Sequence, residues 1–283
     1  MRLSPPSLVV LALAGTLLNL CPARADDQPF VTLDTTDIEP ELGKELEQNF
    51  TWFSGKSGQS FNALEGETEF EYGLSDQIQL AVAGEYDWTR TRDHAVPGAQ
   101  SISGTAFDAI RAEMIYQAMS VYFDPVGLGL MVGTGVGRNA RSLETKLLLQ
   151  KNFFNDRLRT VLNFGTEIGT EGEDGRWSDV SALTFDAGVA YNITWDFSAG
   201  VEFNAEHDFS GLLLNGRAAP TASSFYVGPT IQYVTLPWKF TLGAQAQLPW
   251  ASDATHTPGG LDRGFLSDAE RFRVMLRITR SAL

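Results

Sequence analysis

The chain has 283 residues, with 35 Asp and Glu against 21 Lys and Arg, and a formal net charge of −14. That charge excludes a general nucleic-acid binder, which needs a basic face. A single Cys excludes a disulfide framework and any cysteine-built zinc or iron–sulfur centre, and a hydrophobic share of 43% excludes wholesale disorder.

The N-terminus reads as a targeting segment. Met1-Arg2 gives a positive start, and Leu8 to Leu20 is an apolar run that falls short of the roughly 20 residues a membrane helix needs. Ala23-Arg24-Ala25 supplies the small-x-small pattern of a signal peptidase site, so cleavage is expected before Asp26. An uncleaved anchor and a lipoprotein acylated at Cys21 are the alternatives; the bulky Leu20 speaks against the second. Cleavage removes Arg2 and Arg24 and no acid, which takes the exported chain to −16. Residues 1–25 are therefore expected to be a signal peptide, 26–43 a periplasmic N-terminal segment, and 44–283 a transmembrane β-barrel.

No later stretch offers 18 uncharged apolar residues, so a helical span is not expected. The other structure that satisfies every backbone polar group inside lipid is a closed β-barrel, written as segments of about ten alternating residues separated by turns. That pattern first appears at 44–54 and 61–74. In the second, Leu64, Thr68, Phe70, Tyr72 and Leu74 share one parity and Glu65, Glu67, Glu69 and Glu71 the other. It repeats at 77–91, where Ile78, Leu80, Val82, Tyr86 and Trp88 oppose Gln77, Gln79, Glu85 and Asp87. Further segments are expected at 105–122, 127–138, 142–154, 157–170, 177–193, 195–208, 222–235, 238–249 and 270–281. Twelve strands result, an even number as bacterial barrels require.

The polarity of the two faces selects the environment. One face is too charged to be a core, and the other is too regularly apolar to face water. Apolar outside and polar inside is the arrangement of a lipid-embedded barrel. A soluble sandwich also has one wet face, but these strands run longer than the usual 5–6 residues. Short turns are expected at Ser75-Asp76, Asp124-Pro125-Val126, Asn155-Asp156, Thr194 and Leu236-Pro237. Longer loops lie between them, apart from the short 138–142 link. The short turns mark the periplasmic end. Tyr72, Tyr191, Trp195, Tyr233 and Trp238 near those turns, and Trp52, Trp88, Phe203 and Phe225 near the other rim, form the aromatic girdles. Three residues resist the pattern. Asp108 and Lys151 fall on the lipid-facing parity. Pro229 interrupts a strand, where a bulge or a register slip is expected.

The inward face carries the candidate site. The lumen-lining set is Glu45, Glu47, Glu65, Glu67, Glu69, Glu71, Glu85, Asp87, Arg111, Glu113, Lys146, Arg159, Glu202, Lys239, Arg271, Arg273 and Arg277. Closure brings the last strand beside the first, so the Arg residues at 271, 273 and 277 are expected near Glu45 and Glu47, within reach of charge-assisted bonds. The result is either a plugged lumen or a charged solute path. Barrel size alone does not choose, since twelve strands lie between the filled eight and the open sixteen. Gly127, Gly129, Gly133, Gly135 and Gly137 share the inward parity and read as room for bulky neighbours; no helix follows to make them a nucleotide loop. His94, His207 and His256 fall in or near outer loops. Ser210 follows His207 by three, which gives a rim-located lipid hydrolase as a third reading. No catalytic residue, metal site or cofactor is assigned.

The stretch Glu67 to Leu80 (ETEFEYGLSDQIQL), with Glu144 to Phe153 (ETKLLLQKNF), resembles the strand–turn–strand units of Gram-negative outer-membrane β-barrels, including the phenol meta-pathway transporter family. The resemblance implies outer-membrane location and transport of small hydrophobic or aromatic compounds, and it transfers no site residue. Expected partners are outer-membrane lipid, the outer-membrane assembly machinery and a small solute. Barrels of this kind often end in an aromatic residue, whereas this chain ends Ser281-Ala282-Leu283.

Overall fold

The computed structural model describes residues 28–55, 59–93, 102–173, 176–213, 216, 218–253, 262–264 and 270–281. Long alternating strands form where the sequence places them. They are β1 (Lys44–Ser54), β2 (Gln59–Ser75), β3 (Ile78–Asp93), β4 (Ile102–Met119), β5 (Gly127–Gly137), β6 (Ala140–Phe153) and β7 (Leu158–Glu173). There follow β8 (Arg176–Asn192), β9 (Phe197–Ser210), β10 (Ala219–Thr235), β11 (Trp238–Gln247), two short strands β12 (Ala251–Asp253) and β13 (Asp262–Gly264), and β14 (Phe272–Ser281). Each strand from β1 to β10 pairs antiparallel with the next, and β14 pairs with both β11 and β1. The twelve long strands thus close on themselves, leaving no edge whose amides would face hydrocarbon unpaired. The β12–β13 hairpin extends β10 beyond the ring.

The two faces have opposite chemistry. Val82, Ile110, Val136 and Val201 are each more than half exposed on the outside. Gln79, Asn163, Glu202, Thr230 and Gln245 are buried on the inside. A water-soluble barrel would have these sets exchanged. One polar group on the outer face is satisfied locally: Gln48 accepts from the Thr68 hydroxyl at 2.7 Å and donates to the Tyr86 hydroxyl at 2.8 Å. Lys151 also points outward, its ammonium 5.5 Å from the Phe153 ring at the end of β6, where a long side chain reaches the interface.

Several local expectations change. Asp108 does not face lipid. Between Gly84 and Tyr86 the β3–β4 register shifts, so β4 carries an extra residue there. That bulge reverses parity: Phe107 and Ile110 point outward, and Asp108 lines the lumen. Pro229 causes neither bulge nor slip. It sits opposite Val201 in a regular part of the β9–β10 ladder, whose one shift falls between Pro220 and Ala222, and the β10–β11 pairing skips Gly228 and Pro229 without losing register. The missing N–H costs ladder bonds but no residue is inserted. The Thr194 connection is a wider turn, residues 193–196, with Trp195 in the turn rather than in a strand.

The largest difference concerns the segment ahead of β1, expected in the periplasm. Residues 28–39 run inside the barrel, in the half nearer the short turns. Phe30 and Leu33 are 0% exposed and pack with Val161 and Ala190 of the wall. Ile38 packs against Ile115, Met131 and Leu148. The physical reason is the segment's own apolar content: burying a Phe or Leu side chain is worth about 1.5–3 kcal/mol, and the lumen supplies apolar spots where those side chains land.

The assignment of faces predicts that Val82→Arg impairs barrel assembly far more than Ala81→Arg. An Arg on the lipid face near the bilayer midplane costs about 2–4 kcal/mol, whereas Ala81 borders an acidic lumen cavity. Heat-modifiable electrophoretic mobility of the two variants checks this, and equal effects would mean that the faces are exchanged.

Candidate functional site

The lumen is built around the seam where the ring closes. Lys239 of β11 reaches past β14 to Glu45 of β1, Nζ to Oε2 at 2.9 Å, with both side chains more than nine-tenths buried. Ser281 donates to the same carboxylate. One layer further in, Arg277 of β14 pairs with Glu47 at 3.2 Å, and Thr279 donates to Glu47 at 3.3 Å. Of the three Arg expected beside Glu45 and Glu47, Arg277 therefore arrives. Arg273 does not. The antiparallel register sets it opposite Phe53, far along β1 from both acids, and it pairs instead with Glu270 and stacks 3.6 Å over the Tyr226 ring. The Arg271 backbone N–H bonds to Ser54 at the outer end of the seam. Lys239 fills the role expected of the Arg residues at Glu45.

A second network crosses the lumen. Arg111 pairs with Glu113 at 2.6 Å, Glu144 at 2.8 Å and Glu85 at 3.3 Å. Lys146 pairs with Glu144 at 3.4 Å and with Asp34 of the inner segment at 2.8 Å. Burial works to raise the Asp34 carboxyl, but Lys146, Arg277 and Arg111 outweigh it and hold it below the ordinary aspartate value. The ion pair to Lys146 holds the segment against β6.

Acids predominate on the side away from the short turns. A cavity of about 660 Å³ is lined by Glu65, Glu67, Glu85, Asp87 and Asp108, with Arg111 and Arg277. Neighbouring spaces of about 240 and 360 Å³ add Glu144, Glu167, Glu171, Glu206 and Asp208. A smaller cavity of about 120 Å³ lies nearer the short turns, beside Glu47, Glu69, Glu71 and Glu113, and shares Asn49, Glu67, Arg111 and Arg277 with the largest one. Gln28 and Asp34 of the inner segment border it. Arg159 and Glu202 are also buried in this half.

Sequence reasoning missed Asp34, Asp108, Glu144, Glu167, Glu171, Asp186, Glu206 and Asp208 as lumen residues. Glu144, Glu167, Asp186, Glu206 and Asp208 lie on the inward parity of expected strands and were readable from it, and Glu171 falls one residue past its expected strand. Asp108 was hidden by the bulge, and Asp34 by the placement of its segment. Among the inward glycines, Gly127 makes room for the segment itself, because a Cβ there would collide with the Thr36 hydroxyl.

His207 lies on the outward face of β9. Its Nδ1 is 2.8 Å from the Ser223 hydroxyl on β10, directly across the ladder, and its ring meets Phe225 edge-on. Ser210, whose spacing suggested the hydrolase reading, is not its partner, since residues three apart in a strand lie on opposite faces. His94 and His256 lie outside the described residues.

A closed antiparallel barrel with a polar lumen and an apolar exterior defines this chain as an outer-membrane β-barrel protein. It belongs to a family of unknown function, DUF6662, whose model matches residues 22–273. No curated protein matches the sequence. Among solved structures, the fold is similar to the COG4313 outer-membrane channel from Pseudomonas putida F1, with a TM-score of 0.63 at 11% identity over 89% of this chain and 100% of that one. It is also similar to the porin NanC, with a TM-score of 0.53 at 13% identity over 84% of this chain and 100% of that one.

The seam gives a direct stability test. Lys239→Met leaves Glu45 buried without its cation and is expected to cost about 3–5 kcal/mol, read as a lower urea midpoint in detergent. Glu45→Leu added to Lys239→Met should recover most of the loss. Failure of the second change to restore stability would show that the pair is not the closing contact.

Proposed function

We propose that the barrel is a narrow outer-membrane channel for small polar solutes, with a preference for cations. The observation that carries this reading is the acid-lined set of adjoining cavities, which share Glu67, Arg111 and Arg277 in their walls and reach the inner segment. Like charges on a narrow low-dielectric wall produce potentials of several kT, and the Debye length of about 8 Å at physiological salt does not screen them across so confined a space. The channels and porins of similar fold are consistent with the reading. The resemblance to phenol meta-pathway transporters points instead to hydrophobic aromatic solutes. The charged lining favours polar ones, because desolvating ionised walls around an apolar molecule is costly.

A second reading, a barrel sealed permanently as a structural or surface element, draws on residues 28–39. The hydrolase reading has less support. Among the described residues, no carboxylate is hydrogen-bonded to the His207 ring to orient it as a base, and a nucleophile–base pair needs such a third group.

Planar-bilayer recordings in a KCl gradient test the proposal on the full-length protein and on a variant lacking residues 28–39. The open state should show a reversal potential on the cation side, shifting toward zero when Glu65, Glu67 and Glu85 become Gln and Asp108 becomes Asn. Folded barrels of both forms that pass no ions would overturn the channel reading in favour of the sealed one.

A further inference from the structure

Residues 28–39 are held in the manner of a bound peptide. The Val31 and Thr32 N–H groups donate to the two Glu202 carboxylate oxygens at 2.8 and 2.9 Å. Asp34 N–H donates to Asn163 Oδ1 at 3.0 Å, Thr36 N–H to Gln150 Oε1 at 2.8 Å, and Glu39 N–H to Gln79 Oε1 at 2.7 Å. The carbonyls are read as well. Gln232 donates to the Gln28 carbonyl at 2.6 Å, Arg277 to that of Val31 at 3.1 Å, Asn163 Nδ2 to that of Asp34 at 2.9 Å, and Gln117 to that of Thr36 at 2.5 Å. A strand obtains such bonds from the backbones of the strands beside it. Here they come from side chains on seven different strands, so the lumen wall itself reads main-chain amides.

Two side chains add selectivity. Phe30 and Leu33, three residues apart, are the apolar anchors. The wall is relieved to admit them: a Cβ on Gly188 would lie 2.6 Å from the Phe30 ring, and one on Gly243 would lie 2.7 Å from Val31 Cγ2. The wall around the segment is otherwise largely Gln, Asn, Thr and Glu, groups that water can satisfy once the segment leaves. None of these contacts depends on the segment's covalent continuity with β1.

Resting on the channel reading above, we infer that the periplasmic half of the lumen is a peptide-binding site. Residues 28–39 are its tethered occupant and close the path. An extended peptide carrying an aromatic and an aliphatic residue three positions apart takes the same seat when the occupant's anchors are lost. The tether through Pro40–Gly43 is short, and a short linker holds its ligand at an effective concentration of about millimolar, so a free peptide must be supplied at about that level.

The experiment uses the full-length chain with Phe30→Asp and Leu33→Asp, which unseats the segment without altering the wall, and the variant lacking 28–39 as a second construction. Planar-bilayer conductance is recorded before and after adding a synthetic peptide of residues 28–39 to both chambers. A control peptide carries Asp at both anchor positions. Conductance should rise severalfold in each variant over the wild type. The native peptide should return it toward the wild-type level in a saturable way, and the control peptide should not. Folded variants that stay silent would overturn the channel reading itself. Open variants that ignore the native peptide, or respond equally to the control, would overturn the peptide-site inference and leave the channel reading standing.

Discussion

Every backbone N–H and C=O inside hydrocarbon must find a partner within the protein, and the rest of this structure follows from that requirement. A sheet meets it only by closing, and closure here depends on β14 pairing with β1 and β11 at once. The seam is reinforced where it is least exposed. Lys239, Ser281 and Glu45 join the three strands in one buried cluster, and Arg277 with Thr279 and Glu47 forms the next. A buried pair of this kind adds little net stability over an apolar isostere. Its value lies in register, because a shift of one residue would turn these charges toward lipid.

Once the exterior is apolar, the interior receives the charge. Arg111 and Lys146 gather carboxylates from β3, β4 and β6, and Lys146 passes the network on to Asp34. The outer half keeps an excess of acid and keeps space. The half nearer the short turns is filled by a segment held to the wall through backbone amides, carbonyls and apolar side chains. Open space above a filled constriction is the arrangement the proposed channel needs, and the same contacts that fill the constriction describe the peptide proposed to compete for it.

Much of the barrel was legible because period-two alternation survives any single exception. Glu65, Glu67, Glu69 and Glu71 against Phe70, Tyr72 and Leu74 fixed both faces of β2 at once. The places where reading failed are those where parity stops being local. One extra residue at Asp108 reversed the assignment, and nothing in the sequence around it announces a bulge. The order of Arg271, Arg273 and Arg277 along β14 was known, but which of them reaches Glu47 depended on the cross-strand register. The inner segment was misplaced for a different reason. It has no strand pattern, and its signal was compositional: Phe30, Leu33 and Ile38 are too apolar for a tail in water. Their burial required a lumen that only the assembled ring provides.

Ionised groups line the barrel axis, apolar groups meet lipid, and residues 28–39 sit within. Spin labels placed singly at positions 80 to 83 and at 33, in the reconstituted protein, read this directly through quenching by lipid-soluble oxygen and by a water-soluble nickel complex. Labels at 80 and 82 should respond to oxygen, those at 81 and 83 should not, and the label at 33 should be shielded from both reagents. Loss of the alternation, or a label at 33 as open to the nickel complex as a free tail, would contradict it.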